Sequence, residues 1–194
     1  MKNKKWLILI ITGIIFIILA LCLLMYNAYA DNRAGKKSQE ALEKIQESLK
    51  DINKNEQSED SSKEKILNID GNDYIGIIEI PVLNLELPVM SEVDDDNLKI
   101  SPCRYSGTIE TNDLVICAHS YKKLFRYIKN LNQGDIVILT DMNGKEHLYQ
   151  VELTEILAPT DIKEMIESDF DLTLYTCTND NLNRITIRLN RFES

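Results

Sequence analysis

Cations are scarce in this chain. Lysine and arginine number 22 against 31 aspartates and glutamates, giving a net charge of −9. The first 30 residues hold three lysines and no acid, so the remainder carries −12. Contacts to phosphate need basic surface, which argues against nucleic acid as a partner. Histidine is scarcer still: there are two, His119 and His147. No Cys-x-x-Cys or His-x-x-x-His spacing accompanies them, and a zinc site needs three or four ligands at recognisable spacing. No metal and no cofactor are therefore expected. The acidic triplet Asp94-Asp95-Asp96 lacks an EF-hand pattern and reads as a solvated turn. There is no glycine-rich phosphate loop, internal repeat or low-complexity tract. Of the four cysteines, Cys22 lies in an apolar run, leaving Cys103, Cys117 and Cys177. An odd number cannot all enter a disulfide framework, though one bridge plus a free thiol remains open.

What the chain does have is an apolar run at residues 6–26 without a single charge. It is long enough to cross a hydrocarbon core of about 30 Å at about 1.5 Å per residue. Lysines precede it, so the positive-inside tendency puts residues 1–5 in the cytoplasm and everything after residue 30 outside. The segment Ala28-Tyr29-Ala30 resembles a signal-peptidase site, but the apolar core exceeds a usual signal region, which favours an uncleaved anchor. Residues 27–66 read as a helical and flexible polar stalk. Leu42, Ile45, Leu49 and Ile52 recur at helical spacing behind Ser38 as a candidate N-cap, a stripe too short for a coiled coil. Residues 53–64 have little to bury and read as linker.

From residue 67 to 194 the texture becomes that of one β-rich domain. Strands are expected over 74–80, 84–90, 114–118, 136–140, 146–157, 172–177 and 184–190. The run 114–118 is continuously apolar, as in a strand buried on both faces. Short helices are expected near 94–99, over 122–130 with Leu124, Tyr127 and Ile128 inward, and over 161–167. Seven or eight strands in about 125 residues point to a closed or nearly closed barrel, since closure removes exposed edges.

Cys177 ends the segment Thr173-Leu174-Tyr175-Thr176-Cys177 and is followed by polar Thr178, Asn179 and Asp180. A thiol where a strand emerges into a loop can meet a substrate, and a nearby cation favours the reactive thiolate. Arg184 returns across the short loop 178–183. His119 follows the apolar strand 114–118 and can carry a proton to a leaving amine. His147 lies beside a turn and reads as a solvated strand residue. Arg184 and Arg188 share one strand face, because side chains alternate.

These segments resemble the sortases, membrane-anchored cysteine transpeptidases of Gram-positive cell surfaces. Residues 173–177 are similar to the family's TLxTC signature, and Leu114-Val115-Ile116-Cys117-Ala118-His119-Ser120 to the segment bearing its histidine. Ala118 stands where glycine is commoner. Residues 78–89 are similar to the family's first two strands, and Arg184 opens the next strand as the family arginine does. The resemblance implies an eight-stranded β-barrel and a catalytic set of His119, Cys177 and Arg184, with Thr176 and Arg188 as substrate-binding residues. It implies a thioester on Cys177 formed from a Leu-Pro-x-Thr-Gly-like sorting signal of a surface protein. The acyl group then passes to an amine acceptor, such as a peptidoglycan precursor. None of the four prolines follows an aspartate, so the Asp-Pro-aromatic lid of pilin-type sortases is absent. Pilin polymerisation stays open as an alternative, as do hydrolysis with water as acceptor and a catalytically silent adhesion or scaffold module. The resemblance gives Cys103 and Cys117 no catalytic role; they are expected as buried thiols, or as a disulfide in the extracytoplasmic space.

Overall fold

The computed structural model describes residues 2–55 and 64–192. It opens with one unbroken helix, α1 (Lys2–Asn55). No proline precedes residue 81, so nothing removes a backbone donor along its length. Nine strands follow: β1 (Leu67–Ile69), β2 (Asn72–Ile80), β3 (Leu85–Met90), β4 (Cys103–Ser106), β5 (Leu114–Cys117), β6 (Ile136–Asp141), β7 (Glu146–Leu157), β8 (Leu172–Cys177) and β9 (Arg184–Arg191). A short helix, α2 (Ile162–Ile166), precedes β8, and a 3-10 turn covers Phe125–Asn130.

Eight of these strands close on themselves in the order β2-β3-β4-β5-β8-β9-β7-β6, with β6 returning to β2, while β1 flanks β2. The expected eight-stranded barrel is therefore present. Its closing seam depends on Gly76, where an added Cβ would sit 2.6 Å from the Thr140 carbonyl oxygen. Most neighbours run antiparallel, but β3 meets β4 in parallel at Met90 and Cys103, and β5 and β8 run parallel from Leu114 opposite Leu172 to Cys117 opposite Tyr175. Parallel neighbours need a long connection; between β5 and β8 the β6–β7 hairpin and α2 supply it.

Alternation along the strands makes two cores. Leu114, Ile116, Leu172, Leu174, Ile187 and Leu189 point into the barrel and are fully buried. The opposite faces of β2, β3, β4 and β5 present Tyr74, Ile77, Met90, Cys103 and Cys117 outward, and α1 covers them with Ala41, Leu42, Ile45 and Leu49. This corrects the solvated stalk. The short apolar stripe packs on the outer wall of the barrel, which offers the apolar surface that the stalk alone lacks. Ser38 is no N-cap: it lies inside α1, buried, with its Oγ 3.2 Å from the Ser101 Oγ. At the edges of this contact Gln46 Nε2 donates to Glu86 Oε1 at 2.6 Å, and Lys44 pairs with Asp70. The expected linker falls largely on residues 56–63, outside the described residues, as does the Ile52 side chain.

Two smaller expectations change. In the 122–130 segment Leu124, Phe125 and Ile128 are buried, whereas Tyr127 is 43% exposed. The turn is 3-10 rather than α, so residues three apart share a face and 125 pairs with 128. His147 is buried rather than solvated, and its Nε2 lies 2.9 Å from Asp141 Oδ2 across the β6–β7 turn. Asp94 holds its own turn through Oδ1, which accepts from the Asp96 and Asn97 amides, as a solvated acidic turn should.

Replacing Ile45 by Ala should cost about 2–5 kcal/mol of stability, because the side chain is fully buried between α1 and the barrel. Chemical unfolding of the full chain in detergent checks this. A helix free of the barrel would leave the midpoint where it is.

Candidate active site

The parallel pairing of β5 and β8 brings their C-terminal ends side by side. Cys117 lies opposite Tyr175, and the ladder continues one step as the Ala118 amide donates to the Tyr175 carbonyl at 3.2 Å. The next residues on each strand carry His119 and Cys177 out at the same end of the barrel. The antiparallel pairing of β8 with β9 then places Arg184 directly opposite Cys177. The three residues singled out from the sequence line one open cleft of about 870 Å³, and each is partly exposed.

The loop joining β8 to β9 is braced from within. The Thr178 amide donates to the Asn183 carbonyl at 2.9 Å, the Thr178 hydroxyl bonds Asp180, and Asp180 Oδ1 accepts from the Leu182 amide at 3.1 Å. The hydroxyl and amide bonds hold the Asp180 carboxyl below its ordinary range. Cys177 and Arg184 thus sit at the two ends of a short, internally bonded turn.

The segment after β5 is held just as closely. Arg126 Nε donates to the Ser120 carbonyl at 2.9 Å, and the Tyr121 ring lies 5.0 Å from the His119 ring. Burial lowers the His119 pKa below 6.5; Asp95 opposes that shift and Lys99 adds to it. The imidazole is therefore mainly neutral at pH 7. The other thiols nearby are poor nucleophiles. Burial pushes Cys117 up to about 11 against the opposing Tyr175 hydroxyl bond, and burial raises Cys103 as well. Cys103 lies opposite Cys117 between β4 and β5, and both are free thiols.

Thr176 and Arg188 do not reach the cleft. The Thr176 side chain is buried and its hydroxyl donates to the Ala118 carbonyl at 2.8 Å, tying β8 to the strand exit that bears His119. It points to the barrel side because it neighbours Cys177, and alternate residues face opposite ways. Arg188 shares Arg184's face but lies four residues further down β9, against α2. It is 2% exposed; its guanidinium donates to Glu155 Oε1, the Thr173 hydroxyl and the carbonyls of Glu164 and Met165, with the Phe170 ring 5.9 Å away. Each of its three guanidinium nitrogens already donates within the protein, so Arg188 is a buried pin that lies outside the cleft wall.

Sequence reasoning missed part of the cleft wall. Leu24, Asn27, Ala28 and Asp31 of α1 line it with Tyr121, Lys122 and Arg126. No motif announces the α1 residues, which lie about 90 positions upstream of His119 in a helix read as anchor and stalk. Among the described residues no cluster of three or more metal-ligating side chains occurs.

A sequence model of the sortase domain matches residues 78–191. The sortase A of Bacillus anthracis is 30% identical over 132 residues, 61% of this chain and 60% of that relative. The chain thus spans less than two thirds of that protein's length. Among solved structures, the sortase C of Clostridium perfringens with its C-terminal cell wall sorting motif superposes with a TM-score of 0.57 at 26% identity, over 90% of this chain and all of that one. The sortase A of Corynebacterium diphtheriae, at 20% identity and a TM-score of 0.56, shares the fold over 90% of this chain and 96% of its own.

Two outcomes follow from these environments. The His119 ring should titrate below 6.5 by NMR, lower still after Asp95→Asn and higher after Lys99→Ala, since an anion favours the imidazolium and a cation opposes it. Arg188→Ala should cost about 3–5 kcal/mol in unfolding while leaving the KM for a cleft-bound substrate near its starting value. A raised KM at unchanged stability would return Arg188 to the substrate.

Proposed function

The chain belongs to the sortase family, whose members are cysteine transpeptidases, and we propose that it transfers proteins bearing a sorting signal onto an amine at the cell surface. Cys177 is the nucleophile, His119 the proton carrier and Arg184 the oxyanion donor. One observation carries the assignment: Cys177 faces Arg184 across paired strands in the cleft that His119 also lines.

Each step follows from the groups present. The Cys177 sulfur attacks the carbonyl carbon of the scissile peptide bond, and the Arg184 guanidinium donates to the oxygen as it gains charge. His119 delivers its proton to the departing amine as the C–N bond breaks, leaving a thioester. The attacking form is the Cys177 thiolate beside the His119 imidazolium, so an incoming amine that attacks the thioester gives its proton to His119 as the C–S bond breaks, and a new amide and the same thiolate–imidazolium pair result. Proton delivery needs the imidazolium, which burial keeps a minority species at neutral pH.

α1 is long and apolar enough to cross a membrane through its residues 6–26. In the proposed topology Lys2, Lys4 and Lys5 stay in the cytoplasm and the barrel lies outside. A substrate held by its own apolar tail then meets a tethered enzyme at raised effective concentration. The likeness to a sortase C supports a second reading of the acceptor, a lysine of another surface protein.

The full chain incubated with Leu-Pro-x-Thr-Gly-like peptides should form an acyl adduct on Cys177, seen by mass spectrometry, and transfer it to an added amine. Cys177→Ala should abolish the adduct, and Arg184→Ala should lower kcat on the order of 10²–10³-fold. A product that stays hydrolytic at every amine concentration would make the enzyme a protease. A folded chain that no such peptide acylates would end the enzymatic reading.

A further inference from the structure

We propose that α1 is a wall of the acyl-transfer cleft and that Asp31 on it is a positioning residue for His119. The inference rests on the catalytic reading of Cys177, His119 and Arg184 above. Leu24, Asn27, Ala28 and Asp31 fall at spacings of three, one and three, which puts them on one helical face, and that face lines the cleft. Asp31 Oδ1 accepts from the Lys122 backbone amide at 2.7 Å, three residues after His119.

The helix is seated so that this bond forms in register. Ala34 is fully buried in the barrel core. One position on, Gly35 meets the Lys123 side chain so closely that an added Cβ would lie 2.8 Å from its Cβ and Cγ. Ser38 follows, with its hydroxyl on that of Ser101. Small residues thus let α1 approach the loop that bears His119. The loop is short and closed: Arg126 bonds the Ser120 carbonyl, and the Leu124 amide donates to the Tyr121 carbonyl at 3.0 Å. A frame of this kind moves as a unit, so a bond at Lys122 sets where His119 stands.

Lys122 is exposed, and its amide can turn to water when Asp31 is removed. The bond therefore contributes little to stability. Its value lies in placement, because a displacement of about 1 Å in a reacting group can cost on the order of 10²-fold in rate. That separates a positioning role from a merely structural one.

The test uses the full chain in detergent micelles, with Asp31→Ala, Asp31→Asn and Glu43→Ala, the last on an exposed part of α1. Two readouts are taken: hydrogen exchange at the Lys122 amide, which needs no substrate, and steady-state transfer of a Leu-Pro-x-Thr-Gly peptide to an amine. Asp31→Ala should speed Lys122 exchange and lower kcat on the order of tenfold, with KM and Tm close to the parent. Asn keeps an acceptor oxygen and should restore most of both, and Glu43→Ala should change neither. Gly35→Ala, which pushes α1 off Lys123 without touching Asp31, should reproduce the loss of kcat and serves if Asp31→Ala does not fold. Unchanged exchange and kcat in the alanine variants overturn the proposal. So does a joint fall of kcat, Tm and affinity that Asn does not rescue. Should the parent chain form no adduct, the catalytic reading fails, and Lys122 exchange still reports whether Asp31 holds the loop.

Discussion

The parallel pairing of β5 with β8 is the constraint on which the site depends. Parallel neighbours share their direction, so the two strands finish at one end of the barrel, and their next side chains emerge together. The register from Leu114–Leu172 to Cys117–Tyr175 brings His119 level with Cys177 rather than a residue above or below it. A slip of one residue would turn one of the two side chains to the opposite face. The Thr176 hydroxyl on the Ala118 carbonyl locks that register at the point where the ladder ends. The tight β8–β9 turn adds Arg184 from the other side, opposite Cys177.

A second constraint comes from α1, one helix that faces three environments. Its first third carries exposed apolar side chains, from Trp6 to Leu23. Its middle contributes Leu24 to Asp31 to the cleft wall. Its last third buries Leu42, Ile45 and Leu49 on the barrel. Because the helix is continuous, these regions hold a fixed rotation relative to one another, at about 100° per residue. The docked end therefore determines which residues of the middle face His119. An apolar stripe of under two heptads is too little for self-association, yet it matches the exposed outer faces of β2 to β5 well.

Electrostatics in the cleft follow from partial burial. The imidazole is desolvated enough to lose its proton readily, while Asp95 and Lys99 act on it in opposite directions. Cys117 and Cys103, one step further into the wall, are buried deeply enough to stay protonated. Three thiols thus lie near one strand end, and they differ in solvent access: Cys103 and Cys117 are buried, whereas Cys177 is partly exposed in the cleft.

By itself the sequence revealed seven of the eight barrel strands, all but the four-residue β4, and singled out His119, Cys177 and Arg184, because alternation, turn residues and local motifs are short-range properties of the chain. It could also tell that residues 6–26 form one long apolar helix. Tertiary structure decided the rest. Thr176 and Arg188 carry the right chemistry for substrate binding, but the pleat turns Thr176 into the barrel and α2 covers Arg188 on the outer face. Tyr127 looked inward by an α period, and a 3-10 turn rotated it out. Asp31 enters the site from about 90 residues away, through a helix whose docking face has no meaning until the barrel it covers exists. Contacts between distant segments depend on register and packing, and neither is written in any local pattern of residues.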